Sequence, residues 1–204
     1  QELYNGKTLN EDHSFADETL KYINDYIKDI KHKDGMLYSP YGTPAESLCG
    51  RQAKQFKDAF GIVGDVGARN FFSNSFHSPI WLEYSLQDKI KNEYFGFHNC
   101  NGGHIFYYRI NSDKNLVYID QYVKACMKHG YYCGVNIAHS YCNDCGYTWT
   151  DDKEDHCPRC NGTDVISVSR VCGYLGFTRT PSSSGDSTRM NAAKREEIAL
   201  RKSR

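Results

Sequence analysis

The sequence has no run of apolar residues long enough to cross a membrane. Hydrophobic residues make up 39% of the 204 positions, but no run approaches the roughly 18 residues that a spanning helix needs. The N-terminus also lacks the charged-then-apolar leader of a secretory signal. We therefore expect a soluble, cytoplasmic protein with no membrane partner.

The chain also has no excess of charge of either sign. Its 25 Lys and Arg residues balance 25 Asp and Glu residues, so it lacks the overall basic field that attracts nucleic acid. Direct nucleic-acid binding would need a local patch and is not expected. The chain starts at Gln1 instead of Met, which favours a processed or split product.

Cysteine, by contrast, is abundant. The chain has nine cysteines, an odd number, and four of them fall in two C-x-x-C pairs, which favours metal and thiol chemistry over a disulfide framework. Sixteen Tyr and ten Phe residues make much of the apolar volume aromatic, and tyrosine hydroxyls need hydrogen-bond partners when buried. This composition suits a protein with wet interfaces or a polar cavity.

Helix and strand patterns alternate along the chain, which predicts an α/β fold. The predicted helices cover residues 14–33, 116–129 and, with a basic composition, 189–204. Short β-branched or aromatic runs predict strands at 36–38, 102–110, 131–139 and 165–171. Residues 178–187 are loop-like in composition.

A further helix is predicted to begin at Thr43. Thr43 would be the N-cap, Pro44 would take the first helical position, and Glu46 would complete a T-x-x-E capping box. A helix start leaves backbone N–H groups unpaired at the positive end of the helix dipole, which suits a bound phosphate.

Two C-x-x-C pairs predict a closed metal site. Cys142, Cys145, Cys157 and Cys160 would supply four thiolates to a tetrahedral Zn²⁺ ion with a structural role. Two disulfides or four free thiols are the alternative. His139 and His156 are interpreted as surface residues. A nucleic-acid-binding or protein-binding zinc ribbon is the competing function, although Asp151, Asp152, Glu154 and Asp155 between the pairs would repel phosphate.

The stretch Arg170-Val-Cys-Gly-Tyr-Leu-Gly176 allows two interpretations. It is a β-turn with Gly173 and Gly176 at positive φ and Cys172 as a small core residue, or it is a site of radical chemistry. A glycine Cα radical is planar and delocalised over the neighbouring amide groups, and the absence of a Cβ lets the backbone flatten.

In its context this stretch resembles the C-terminus of the anaerobic, class III, ribonucleoside-triphosphate reductases, which are glycyl radical enzymes. The stretch follows the C-x-x-C pairs and precedes Asn191-Ala-Ala-Lys-Arg-Glu-Glu197. Other motifs occur in the family's order, so that the resemblance runs from about Tyr38 to the end: Ser39-Pro-Tyr-Gly-Thr-Pro-Ala-Glu-Ser-Leu-Cys49, Asn74-Ser-Phe-His-Ser-Pro79 and Gly102-Gly-His-Ile105.

The resemblance implies that Gly173 carries a stored glycyl radical, generated by a radical-SAM activating enzyme with an iron–sulfur cluster. The radical would oxidise a cysteine on a finger loop inside a ten-stranded α/β barrel, and that thiyl would begin the reduction of a ribonucleoside triphosphate to the deoxyribonucleoside triphosphate. The four cysteines match the family's zinc ligands. Thr43, Ala45, Glu46 and Ser47 would lie near the substrate triphosphate, unless they form a plain capping box.

The chain departs from the family in its length. The finger-loop cysteine and the N-terminal nucleotide-sensing region have no counterpart here, and Cys49, Cys100, Cys126 and Cys133 are interpreted as buried thiols. The chain is thus expected to need an N-terminal portion, in an assembled enzyme that is a homodimer. Residues 1–138 would form part of the barrel, 139–164 the zinc module, and 165–204 the glycyl radical loop and C-terminal tail.

Overall fold

The computed structural model describes residues 2–45, 47–110, 115–181 and 188–202. In these ranges the helices are α1 (Glu2–Asn5), α2 (Ser14–Asp34), α3 (Leu48–Phe60), α4 (Leu86–Asn99), α5 (Leu116–Lys128) and α6 (Ala192–Leu200). The strands are β1 (Ile105–Arg109), β2 (Tyr132–Asn136), β3 (His139–Cys142), β4 (Thr148–Trp149), β5 (Val165–Arg170) and β6 (Leu175–Arg179). The predicted α/β class is confirmed.

The main apolar core surrounds a β1-α5-β2 unit. Strands β1 and β2 are parallel, and α5 is the crossover between them, as the pattern over 116–129 predicts. Alternate side chains of β1, including Phe106 and Tyr108, are buried. Tyr122 on α5 donates its hydroxyl to the carbonyl oxygens of Phe106 at 3.2 Å and Gly134 at 3.0 Å. One buried tyrosine thereby ties the helix to both strands.

The second sheet is antiparallel, with the strand order β4-β3-β5-β6. Strand β6 was not foreseen, because composition predicted a loop from Thr178 onward. The strand continues to Arg179 through its pairing with β5, and its side chains Leu175 and Phe177 are exposed. A strand stabilised by backbone pairing, without an apolar alternation that is buried on one face, is difficult to detect in sequence.

Helix α2 packs on α4, where Asn24 donates to the carbonyl oxygen of Asn99 at 2.7 Å. The helix ends as predicted, at Gly35 with φ 67°. The strand predicted at 36–38 is wrong, since these residues have no regular structure, and Leu37 is 95% exposed. No helix in the described ranges has the length and hydropathy needed to span a membrane.

The predicted helix start at Thr43 is also wrong. Helix α3 begins at Leu48, with Ser47 as its N-cap. Ala45 has a φ of 49°, in the left-handed region, which a helix extending from Thr43 cannot accommodate. The Thr43 hydroxyl accepts instead from the Ala45 N–H at 3.4 Å. Glu46, the predicted last member of the capping box, lies outside the described residues.

Candidate functional site

The four C-x-x-C cysteines converge on one point. Their Sγ atoms all lie within 4.8 Å of one another, and the Cys142–Cys160 and Cys145–Cys157 separations are both 3.7 Å. A disulfide requires about 2.05 Å, whereas a tetrahedron with metal–sulfur bonds of about 2.3 Å has edges of about 3.8 Å. The four thiols therefore fit a metal ion and do not form disulfides.

Two tight turns present these thiols. Gly146 follows the first pair with a φ of 70°, and Asn161 follows the second with a φ of 60°. At Gly162 a Cβ would lie 2.1 Å from an Asp144 carboxylate oxygen and 3.3 Å from the Cys160 Sγ, so glycine permits the close approach of the two turns.

The four-cysteine cluster is built into the antiparallel sheet. Cys142 ends β3 opposite Val165 of β5, and a small apolar core surrounds Cys142, Cys157 and Val165. Cys157 is buried, yet the backbone N–H groups of Cys160 and Arg159 outweigh burial and lower its pKa to about 7. His156 pairs with Asp155 at 2.6 Å instead of joining the cluster.

The glycine-containing stretch forms the tip of a hairpin between β5 and β6. Arg170 pairs with Leu175 across the hairpin, and the Val171 N–H donates to the Tyr174 carbonyl at 2.9 Å. Gly173 is exposed at the tip, next to buried Cys172. The interpretation that placed Gly173 and Gly176 at positive φ is wrong.

Gly176 has a packing role that differs from that of Gly173. A Cβ on Gly176 would lie 2.9 Å from the Cγ2 of Val171, a separation that real Cβ atoms do not show. Val171 is buried at the base of the hairpin. Absence of a side chain at Gly176 therefore lets β6 close over Val171.

Helix α6 holds the base of the hairpin through buried charges. Arg201 donates to the Arg170 carbonyl at 2.6 Å and also to the Val171 carbonyl, and it pairs with Glu197 at 2.7 Å. Glu197 also pairs with Lys194. The side chains of Lys194 and Glu197 on α6 and of Arg201, which directly follows the helix, are all buried. Because buried charges are costly unless paired, this network fixes α6 against the hairpin.

A chain of polar contacts joins the hairpin to α3. Lys194 donates to the Cys172 Sγ at 3.1 Å, and the Asn74 amide donates to the same sulfur at 3.8 Å. The Cys49 thiol in turn donates to the Asn74 Oδ1 at 3.0 Å. Burial raises the pKa of the Cys49 thiol to about 11, despite the opposing charge of Lys194.

The interpretation of four cysteines as buried thiols is largely confirmed. Cys49, Cys100 and Cys126 are buried, and Cys133 is partly buried. Cys172 lies beside Gly173 as a buried thiol with an ammonium neighbour, a contact that the sequence did not reveal.

A cleft lies between the hairpin base and β1. Its lining includes Pro44, Asn74, Lys89, Tyr107, Arg170 and Cys172. Arg170 crosses one wall, where its Nε donates to the Asn136 Oδ1 at 2.9 Å and its guanidinium lies 5.5 Å from the centre of the Tyr107 ring. The hairpin thus forms one side of this cavity, whose lining is mainly apolar with a few polar side chains.

The described residues predicted near the substrate phosphate, Thr43, Ala45 and Ser47, do not line this cleft, although their neighbour Pro44 does. Thr43 and Ser47 are exposed, and Ala45 is partly buried. No described side chain caps the N-terminus of α3. The Leu48 N–H donates to the Ala45 carbonyl at 2.9 Å, so the N–H groups of Cys49 and Gly50 are the ones that a ligand could use.

Sequence reasoning missed a buried polar group behind the cleft. Lys89 and Glu93 form an ion pair on α4, and the rings of His77 and His104 lie against each other with centroids 4.4 Å apart. A usable signal was present, because Lys89 and Glu93 share the helical face of Leu86. Charged residues at that spacing on a buried stripe indicate a polar site inside the fold.

Comparison with known proteins now identifies the family. The profile described as anaerobic ribonucleoside-triphosphate reductase matches residues 2–203. The chain belongs to this family. It is 34% identical over 189 residues to the anaerobic ribonucleoside-triphosphate reductase of Escherichia coli, 32% over 208 residues to that of Salmonella typhimurium, and 31% over 191 residues to that of Enterobacteria phage T4.

These matches cover 89%, 98% and 90% of this chain, but only 26%, 28% and 30% of the relatives. The chain therefore corresponds to between a quarter and a third of their length, at the C-terminal end.

Solved structures share the fold of this chain. An anaerobic ribonucleotide reductase superposes with a TM-score of 0.72 at 20% identity, covering 95% of this chain and 29% of that one. The anaerobic ribonucleotide reductase of Thermotoga maritima in complex with dATP and CTP gives a TM-score of 0.62 at 20% identity, covering 93% and 28%.

The family assignment favours the reductase over the zinc-ribbon alternative, and the structure adds a reason. The basic C-terminal segment on which that alternative depended does not present all its cations to solvent. Lys194 and Arg201 are buried and neutralised by Glu197, so they are unavailable to a polyanion.

Proposed function

We propose that this chain is the radical-bearing C-terminal portion of an anaerobic ribonucleotide reductase, an oxidoreductase that reduces ribonucleoside triphosphates to deoxyribonucleoside triphosphates. The observation that carries the proposal is the display of Gly173 at an exposed hairpin tip, with the hairpin base fixed by α6 and by the sheet of the metal cluster. The proposed division remains 1–138 for part of a ten-stranded barrel, 139–164 for the zinc module and 165–204 for the glycyl radical loop and tail.

Gly173 is the proposed site of the glycyl radical, which supplies the one-electron oxidant when formed. The residues around it position the glycine. Paired strands hold the tip on both sides, while Arg201 binds the carbonyl groups of Arg170 and Val171 just before it. Tip exposure is compatible with access by a radical-SAM activating enzyme that carries an iron–sulfur cluster.

The hairpin also has a surface suited to insertion into an N-terminal portion. Tyr174, Leu175 and Phe177 follow Gly173 and are 50%, 65% and 50% exposed. Apolar side chains clustered on one short element favour burial against another surface. An N-terminal portion that supplies the finger-loop cysteine would cover them in the active enzyme, whose assembled form is proposed to be a homodimer in the cytoplasm.

Zn²⁺ is the proposed occupant of the four-cysteine cluster. All four donors are thiols and the cluster geometry matches a closed tetrahedral site, which leaves no position for a reacting water. Cys142 is the last residue of β3 and pairs with β5, the strand that leads into the hairpin. The metal would therefore stabilise the base of the glycyl loop.

The substrate triphosphate is proposed to bind near the start of α3, with Thr43, Ala45, Glu46 and Ser47 around it. Support comes from the uncapped N-terminus of α3 and from Pro44 in the cleft wall. Backbone N–H groups at a helix start bind phosphate oxygens without a basic side chain.

Oxygen cleavage after activation tests the proposal. The chain, combined with the N-terminal portion and activated anaerobically by the matching enzyme, is expected to break at Gly173 on exposure to air, because oxygen adds to a backbone glycyl radical. Intact-mass analysis should find a fragment ending near Cys172. Gly173→Ala should give no fragment, whereas Gly134→Ala, where an added Cβ meets nothing closer than 3.7 Å, should still be cleaved at Gly173. An intact wild-type chain after activation would contradict the proposal.

A further inference from the structure

Three elements bring two histidines and a carboxylate together behind the cleft. His77 lies in the loop before α4, Glu93 lies on α4, and His104 directly precedes β1. Their exposed fractions are 8%, 0% and 4%. One donor atom from each residue lies within 4.8 Å of the other two. The cluster is separate from the four-cysteine site and has no part in the proposed radical chemistry.

Protein hydrogen bonds do not account for this cluster. Glu93 Oε1 accepts from the Ser78 N–H at 2.7 Å and pairs with Lys89, but Oε2 has no hydrogen-bond partner among the described residues. Neither His104 nitrogen has a well-formed hydrogen bond within those residues, nor does the His77 Nδ1. Buried polar atoms are rarely left unpaired. Two His104 nitrogens without a well-formed bond, beside a His77–Glu93 pair that meets only at 3.5 Å, therefore indicate a missing ligand.

The separations suit a metal ion better than direct contact. His77 Nδ1 and Glu93 Oε2 are 3.5 Å apart, too far for a good hydrogen bond. Two ligands on a tetrahedral ion with bonds of about 2.1 Å are about 3.4 Å apart. His104 Nδ1 lies against Gly42, where a Cβ would come within 2.3 Å of it. That backbone closes one side of the imidazole and restricts its orientation.

We propose that His77, Glu93 and His104 bind a single divalent first-row transition-metal ion. Two imidazoles and one carboxylate are a frequent ligand set for Zn²⁺ and Fe²⁺. An anion is disfavoured, because the unpaired Glu93 oxygen would repel it. Lys89 occupies the other oxygen and so fixes Glu93 as a monodentate ligand. Since His77 and Lys89 also line the cleft, the ion would lie at the cleft wall.

Cobalt binding to the 204-residue chain distinguishes this site from the four-cysteine cluster. Co²⁺ held by four thiolates shows intense charge-transfer absorption, whereas Co²⁺ held by nitrogen and oxygen shows weaker ligand-field bands. We expect two equivalents of Co²⁺ in the wild type. Cys142→Ser should remove the charge-transfer bands, and His104→Gln or Glu93→Gln should each remove only the second equivalent.

The controls keep the result interpretable. His98→Gln changes an exposed histidine on the same helix as Glu93 and should leave both equivalents in place. A far-UV circular dichroism spectrum and an unfolding midpoint that match those of the wild type show that His104→Gln is folded, and His77→Asn provides a second variant if it is not. A single equivalent in the wild type, or a second equivalent that survives both His104→Gln and Glu93→Gln, would overturn the proposal.

Discussion

The four-cysteine module and the glycine hairpin share one sheet but are held by different interactions. Strand β3 carries Cys142 and pairs with β5, which leads directly into the hairpin. The module is closed by thiols placed at metal-ligand separations, whereas the hairpin is closed by a buried charge network from α6. The four-cysteine module is therefore a fixed base, whereas the attachment of the hairpin depends on ion pairs. This difference is compatible with controlled exposure of Gly173.

The largest effect is expected from a substitution in the four-cysteine module. Cys142→Ser removes one of four ligands, and structural zinc contributes on the order of 10 kcal/mol to folding in small zinc modules. We expect the variant to lose the thiolate-bound metal and to increase hydrogen exchange in β3 and β5. Cys133→Ser, a partly buried thiol outside the cluster, should retain the metal. Full metal content in Cys142→Ser would refute the four-cysteine assignment.

A smaller effect is expected from a substitution in the buried charge network that holds the hairpin. Glu197→Gln leaves Lys194 and Arg201 without the carboxylate that neutralises both, and breaking a buried ion pair costs about 3–5 kcal/mol. Urea denaturation should show this loss of stability, while the four-cysteine metal is retained. Glu196→Gln on the same helix alters a contact with Asn70 and should cost less. Equal losses for the two variants would contradict the assigned role of Glu197.

Arg201→Lys tests the hydrogen bonds of Arg201 to the hairpin separately from its positive charge. Lysine keeps the positive charge but lacks the fork of donors that reaches the Arg170 and Val171 carbonyls. The expected cost is about 2 kcal/mol, the scale of a hydrogen bond to a charged group. Hydrogen exchange at the Val171 amide, which donates to the Tyr174 carbonyl, should accelerate, while exchange near Cys142 stays unchanged. Unchanged exchange at the hairpin would show that Arg201 is not its anchor.

The smallest expected effect concerns the thiol beside the hairpin. Burial raises the pKa of Cys49 to about 11 from the ordinary value of 9.0, so between these values the folded state binds more protons than the unfolded state. Stability should therefore fall as pH rises from about 9 to 11, by up to about 2 kcal/mol for this group. Cys49→Ala should flatten that part of the pH profile of the unfolding free energy. An identical slope in the variant would exclude Cys49 as its source.

The same contrast explains what the sequence could predict. Spacing alone identifies the four cysteines as metal ligands. Each C-x-x-C pair is visible within four consecutive residues, and a tetrahedral ion requires two such pairs to meet. The α5 crossover and its strands follow from periodicity. Contacts of α6 with the hairpin join residues 22 to 31 positions apart, and a pattern of Lys, Arg and Glu on a short helix gives no sign of which side chains are buried.

The start of α3 shows why a local pattern can mislead. Thr43, Pro44 and Glu46 satisfy a capping-box pattern, but Ala45 adopts a left-handed φ of 49°. A non-glycine residue adopts a left-handed φ only when its surroundings in the fold stabilise it. The residues next to Ala45 in the sequence do not reveal those surroundings. The same holds for Glu93, whose partners His77 and His104 are brought to it by the fold.

The central claim is that Gly173 carries the radical, and EPR spectroscopy tests it most directly. After anaerobic activation of the assembled reductase, the wild-type chain should give a doublet, since one α-hydrogen remains on the oxidised glycine. Chain produced with α-deuterated glycine should give a collapsed doublet, and Gly173→Ala should give no signal. A doublet that persists in Gly173→Ala, or one unaffected by deuteration, would contradict the account.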